Sequence, residues 1–288
     1  MKGLKSYAKG LSLMVFLMIL IVAASAEHGM VEQIGNGGVD WENGYVHVLG
    51  YGLPPQGVYG AQAKLMARGA AKADAYRNAV EVLKGVRVDS QTYVRNYVMQ
   101  NDEIRTKVEG FVQNARIVGV NQQVDGTVVV TMELPLGGQA GLTTLLRQPD
   151  LPIQDEQAPP RDVTPGVTPS PSGKTTHTGV IIDARQLEVK PALYPQVFDP
   201  HGYLLYGSTL VEMGRTGFTT LVAYARSLEA AREIPRVGKN PLLLKADRAV
   251  EVRQGEKTDL ILTTEAAESF RKLDPEVIKR AAVVIVID

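Results

Sequence analysis

The sequence predicts an α+β protein: two small domains, each with helices packed on mainly antiparallel sheets, joined by a proline-rich linker behind a signal peptide. Three observations carry this. A 25-residue helical pattern at 60–84 is bracketed by strand and hairpin patterns. Seven of the sixteen prolines fall between Pro149 and Pro171, where no packed core can form. Beyond that stretch, short apolar runs alternate with short capped helical patterns up to the terminal Val283–Asp288. The resulting divisions are 1–26 signal peptide, 27–136 first domain, 137–178 linker and 179–288 second domain.

Lys2, Lys5 and Lys9 precede an apolar run from Leu11 to Val22, interrupted only by Ser12, and Ala24-Ser25-Ala26 forms an A-x-A cleavage signal. The run is short for a membrane span. The expectation is a secretory signal cut after Ala26, with an uncleaved anchor as the alternative. Export leaves 28 basic and 31 acidic residues. No cysteine is present, so there is neither a lipid-bearing cysteine at the cleavage site nor a disulfide, and stability must come from packed cores. The expected location is the periplasm or beyond. No further stretch is apolar enough to span a bilayer once the signal is removed. The formal net charge of zero gives no whole-molecule argument for nucleic acid.

Residues Glu27 to Gly38 are glycine-rich and read as a loose lead-in. Val39-Asp40-Trp41 and Tyr45–Tyr51 form a hairpin across Glu42-Asn43-Gly44, with Val46 and Val48 on one strand face and Tyr45, His47 and Leu49 on the other. In the helix at 60–84, Met66, Gly69, Ala73, Tyr76, Val80 and Leu83 recur at helical spacing. They predict a buried face with a small middle, so that Gly69→Leu should overpack by roughly 1–3 kcal/mol. Gly85 ends the helix. Val86–Met99 alternates like a strand, or two strand pieces. Asn101 caps a helix reaching Val112, with Asp102 and Glu103 in its first turn. Strands at 115–124 and 127–134 meet at Asp125-Gly126. In the linker, Leu142–Arg147 allows one helical turn.

In the second domain, Val180–Asp183 is a short apolar strand, and its echo in Val284–Asp288 suggests two paired central strands. Val197-Phe198 and Tyr203–Tyr206 flank a turn at Asp199-Pro200-His201-Gly202. Further strands are expected at 218–224, 241–245 and 258–262. Ser227 caps a helix at 228–233, Thr264 one at 265–273, and Asp274-Pro275 starts another.

Motifs for chemistry are sparse. Gly50-Tyr51-Gly52 lies between a strand and a helix, but Pro55 stands where a dinucleotide-binding fingerprint needs its third glycine. Ser172-Gly173-Lys174-Thr175 ends like a phosphate loop, but Thr168 replaces its first glycine and a strand follows instead of a helix. His28, His47, His177 and His201 have no metal-ligand spacing. No G-x-S-x-G element occurs. No cofactor and no enzymatic activity are expected, and a carboxylate pair formed only by folding is the enzymatic alternative. Trp41 and the alternating Tyr93, Arg95, Tyr97 and Met99 are the candidate interaction surface, since aromatic residues, arginine and methionine are enriched at interfaces. An ordinary sheet face under a helix is the competing account of the latter four.

Val39-Asp40-Trp41, Val48-Leu49-Gly50-Tyr51-Gly52, the alanine-rich Ala67–Ala75, Leu83-Lys84-Gly85-Val86-Arg87-Val88 and Asp125-Gly126-Thr127-Val128-Val129-Val130 together resemble the Lpp-twenty lipoprotein family and the related N-terminal domain of FlgT, over residues 39–136. The resemblance implies a secreted α+β module without enzymatic activity, at the periplasm or outer membrane, with a part in building a flagellar basal-body ring. The implied partners are other envelope proteins, flagellar basal-body components among them, or further copies of the chain. Periplasmic ligand or glycan binding is the alternative, motivated by Trp41, Tyr45, Tyr51, Tyr93 and Tyr97.

Overall fold

The structure is a computed structural model that describes residues 30–146, 176–212, 220–251 and 255–288. The signal-peptide segment and the proline-rich stretch 147–175 lie outside the described residues. The class is α+β, with one antiparallel and one mixed sheet.

Strands β1 (Val31–Ile34), β2 (Gly37–Asp40), β3 (Tyr45–Gly52), β4 (Arg116–Gln122) and β5 (Val128–Pro135) form an antiparallel sheet in the order β1-β2-β3-β5-β4. The expected loose lead-in is therefore a strand pair. Gly35, at φ 55°, makes the two-residue turn between them. The Asp40–Tyr45 hairpin forms where expected. Asp40 accepts hydrogen bonds from the Glu42 and Asn43 amides.

Helix α1 (Gly60–Lys84) has the expected bounds but buries a different face. Ala67, Ala71, Ala75 and Ala79 are wholly buried, with Val82 and Leu83, whereas Met66 is exposed and Gly69 faces open space. The alanine row lets the helix axis approach β3 closely. The glycines that permit the contact are on the strand: a Cβ on Gly50 would meet Ala71 O and Ala75 N at 2.3 Å, and one on Gly52 would meet Ala67 O at 2.0 Å. The Gly69→Leu overpacking expectation is thus corrected. Asn78 donates to the Leu49 carbonyl at 2.7 Å and Asp74 accepts from the Tyr51 amide at 2.9 Å, fixing helix register on the strand. Gly85 stops the helix with an ordinary right-handed φ of −81°.

The expected strand over Val86–Met99 is also corrected. Arg87 and Tyr93 form an isolated antiparallel bridge closing a turn in which Asp89 accepts from the Gln91 and Thr92 amides. Helix α2 (Val94–Gln100) follows, with Asn96 accepting from the Tyr93 amide at its start. Asn101 caps α3 (Asp102–Gln113), accepting from Glu103 and Ile104. Helix α4 (Leu142–Leu146) buries Leu142 and Leu146 in the same core.

The second sheet contains β6 (Gly179–Asp183), β7 (Val197–Phe198), β8 (Leu204–Tyr206), β9 (Ala223–Ala225), β10 (Pro241–Ala249), β11 (Leu260–Leu262) and β12 (Val283–Val286), in the order β8-β7-β11-β10-β6-β12-β9. The two similar apolar runs do pair centrally: β12 lies parallel to β6, with Val284 opposite Ile181. Both faces of these strands are buried. Ile181, Val284 and Val286 pack with Ala231 of α5 (Leu228–Glu233) and Val237, while Val180, Ile182, Val283 and Ile285 point into the larger core. Helix α6 (Thr264–Arg271) is capped by Thr263, one residue before the expected Thr264; α7 (Pro275–Lys279) is capped by Asp274.

Candidate functional site

The large core is continuous across the two domains, and the residues joining them form a densely hydrogen-bonded site. The Arg87–Tyr93 turn of the first domain supplies one side. Its backbone carbonyls accept from the second domain: Leu193 N to Arg87 O at 3.0 Å, Tyr194 N to Val88 O at 2.9 Å and Glu256 N to Ser90 O at 2.8 Å. Segment 191–194 thus lies against the turn, tied to it through two successive amides.

Arg87, only 6% exposed, is the polar centre of this junction. Its guanidinium donates to the Pro191 carbonyl at 2.5 Å and to Glu32 at 3.1 Å, and lies 5.7 Å from the Tyr93 ring. Burial alone would lower its pKa. The bond to Glu32, that carboxylate's charge and the Tyr93 interactions outweigh burial, so the pKa is raised and the cation persists. Glu32 also accepts from Trp41 Nε1 at 2.9 Å. The Trp41 ring meets Tyr224 edge-on, centroids 5.9 Å apart. The Tyr224 hydroxyl donates to Ala192 O at 3.1 Å and accepts from Ala192 N at 3.0 Å, and burial raises its pKa. The Tyr194 hydroxyl donates to the Thr143 carbonyl at 2.6 Å, tying in α4.

An acid lies beside this junction. Asp259 accepts from the Gln196 amide at 2.9 Å and from Thr258 Oγ1 at 3.1 Å. Burial, with a smaller contribution from the charge of Asp89, pushes its pKa up to about 6.

The five candidate surface residues divide. Trp41 is 3% exposed and belongs to the domain junction, not to the surface. Tyr93 and Arg95 come together, with the guanidinium 4.2 Å from the ring centroid. Tyr97 is half-buried; burial first, then the charge of Asp89, pushes its phenol up to about 12. Met99 is exposed at the end of α2. Because 94–100 is helical, the four do not share one strand face. Sequence reasoning missed Arg87, Glu32, Tyr194 and Tyr224; the cue was Arg87, set between Val86 and Val88 at the start of the strand-like run.

A different surface is open. The outer face of the first sheet shows Val31, Tyr45, Leu49 and Tyr51, all partly exposed, beside a row in which Glu133 pairs with Arg116 and lies 3.5 Å from His47. Between β1 and β3, glycines 35, 37 and 38 leave a shallow trough of about 440 Å³, walled by Val31, Gln33, His47, Leu49 and Tyr51. Among the described residues, no group of His, Asp and Glu could hold a metal ion and no helix is long and apolar enough to cross a membrane.

The second domain has a detectable relative. A family model described as the second domain of Treponema pallidum Tp0624 matches residues 179–288. No curated protein matches the chain.

Proposed function

We propose that the chain is an exported envelope protein that acts through protein–protein contacts, without catalysis. The observation that supports this best is the uncovered sheet face bearing Val31, Tyr45, Leu49 and Tyr51, held on a scaffold whose two domains are bonded through a common core. A partner docking there would cover apolar and tyrosine side chains of the kind interfaces use. The export signal in residues 1–26 and the Lpp-twenty and FlgT-like motifs in 39–136 favour an envelope role, with flagellar basal-body assembly as its most specific form. Photo-crosslinkers at Leu49 and Tyr51 in intact cells should trap a discrete envelope protein, and a crosslinker at Gly69 should not. Equal, diffuse labelling from all three sites would overturn the reading. Deleting the gene tests the flagellar form: complete basal bodies and normal motility would remove it.

The trough between β1 and β3 favours a second reading, a periplasmic ligand or glycan module. Titration with small oligosaccharides, followed by NMR shifts at Gln33, His47 and Tyr51, tests it. Shifts absent at saturating sugar would exclude it.

A further inference from the structure

One end of the first domain carries a surface that the contacts above leave unused. β3 ends at Gly52, opposite Val128 of β5, so the β4–β5 turn and the loop entering α1 emerge at the same end. Pro54 lies against Gly126 there, where an added Cβ would be 3.3 Å from Pro54 Cγ. The first turns of α1 overhang this end: the helix atoms nearest a Cβ on Gly52 belong to Ala67 and Ala71, two turns inside the helix.

The side chains projected here are large, apolar and open to solvent: Leu53 is 71% exposed, Tyr59 84%, Leu65 70%, and Val124 is fully exposed. Such a cluster at the tip of a folded domain marks an interaction site. The charge around it has one sign over a long stretch. From Gly52 to Ala73 there are three cations, Lys64, Arg68 and Lys72, and no acid. All three are exposed, and among the described residues none pairs with a carboxylate. Leu65, Arg68 and Lys72 fall at i, i+3 and i+7, along one side of the helix. The acids nearby are engaged: Asp125, beside Val124, accepts from the Thr127 amide within its own turn, and Asp74, just past the stretch, accepts from the Tyr51 amide and pairs with Arg77.

We propose that this end of the first domain docks on an anionic phospholipid surface, with Leu53, Tyr59, Leu65 and Val124 entering the interfacial layer and Lys64, Arg68 and Lys72 facing the lipid phosphates. Apolar side chains ringed by lysine and arginine are the combination that binds reversibly at a headgroup boundary. A neutral partner would leave Lys64 and Arg68 without a role (Lys72 also lies 5.5 Å over the Tyr76 ring), and a purely electrostatic one would leave the leucines, Tyr59 and Val124 in water. The sheet face of the proposed protein contacts adjoins this end at Tyr51, but changes at Leu53, Lys64, Leu65 and Arg68 leave Leu49 and Tyr51 in place, so one activity can fail while the other stands.

The test is vesicle co-sedimentation of the chain from Glu27 onward, which retains every described element and omits the apolar 11–22 segment that would itself partition. Vesicles of equal parts phosphatidylglycerol and phosphatidylcholine should retain the protein, less so as salt rises. Pure phosphatidylcholine should retain it far more weakly. Leu53→Ser with Leu65→Ser should abolish retention, and Lys64→Gln with Arg68→Gln should weaken it by about fivefold per charge. All four positions are exposed, so unchanged melting should accompany both variants. Three results would overturn the proposal: no retention on phosphatidylglycerol, equal retention on the neutral vesicles, or variants that bind like the parent. A dimer in solution that Leu65→Ser dissolves would assign this end to a second copy and also overturn it.

Discussion

The guanidinium of Arg87, in the first domain, donates to the backbone carbonyl of Pro191, in the second, at 2.5 Å. This bond joins residues 104 positions apart in sequence, inside a site where the same cation also holds Glu32. Removing the side chain should do more than delete one interaction. Arg87→Ala strands a buried carbonyl and leaves Glu32, itself partly buried, without its cation. A loss of about 2–4 kcal/mol in urea unfolding is expected, with faster trypsin cleavage between the domains. Unfolding within experimental error of the parent would show that the junction contributes nothing.

Trp41 is the sole tryptophan and sits against Tyr224, so its emission reports domain contact. It should be blue-shifted and poorly quenched by acrylamide in the folded chain. Tyr224→Phe removes the hydroxyl that serves both polar groups of Ala192, at about 1–3 kcal/mol, and should make Trp41 more quenchable.

The β3–α1 contact separates glycines by role. Gly50→Ala places a Cβ 2.3 Å from helix backbone atoms, which neither element can relieve without shifting; destabilisation of about 1–3 kcal/mol or more is expected. Gly69→Ala points into open space on the same helix and should stabilise by up to about 1 kcal/mol through helix propensity. Thermal melts of the two variants should move in opposite directions.

Asp259 predicts a pH dependence. Its folded pKa of about 6 lies above the unfolded carboxylate value near 3.9. The folded chain therefore binds this proton more tightly. The penalty for an ionised Asp259 is full above about pH 6 and fades as pH falls toward about 4. Asp259→Asn, which can still accept from Gln196, should stabilise at pH 8 by at most about 3 kcal/mol and leave stability at pH 4 nearly unchanged. A gain of the same size at both pH values would show that the carboxylate's charge is not the cause.

Elements marked by local chemistry could be read from the sequence. Asn101, Ser227 and Asp274 cap helices because their side chains bond the adjacent amides, and that preference needs no tertiary partner. The paired apolar strands at 180–183 and 283–286 were readable for a related reason: only strands covered on both faces are apolar throughout. The buried side of α1 was not. Its contact is made of alanines, which contrast little with their neighbours, while the larger Met66, Tyr76 and Val80 suggested another face. Residues 86–99 misled because valines alternate with Arg87, Asp89, Tyr93 and Arg95, imitating strand periodicity. Asp89 instead turns the chain, and Tyr93 starts a helix with the help of Asn96. The role of Trp41 was hidden because its partner Tyr224 lies in the other domain.

Segment 191–194 bonds to the Arg87–Tyr93 turn on one side of the connection at 147–175, and Tyr194 bonds to Thr143 just ahead of it. The connecting peptide is therefore not what holds the halves together. A protease cut within 147–175 should yield two fragments that migrate as one particle in the absence of denaturant. The same halves, expressed as separate polypeptides, should find each other and restore the blue-shifted, acrylamide-protected emission of Trp41, so the molecule has the makings of a two-piece complementation pair.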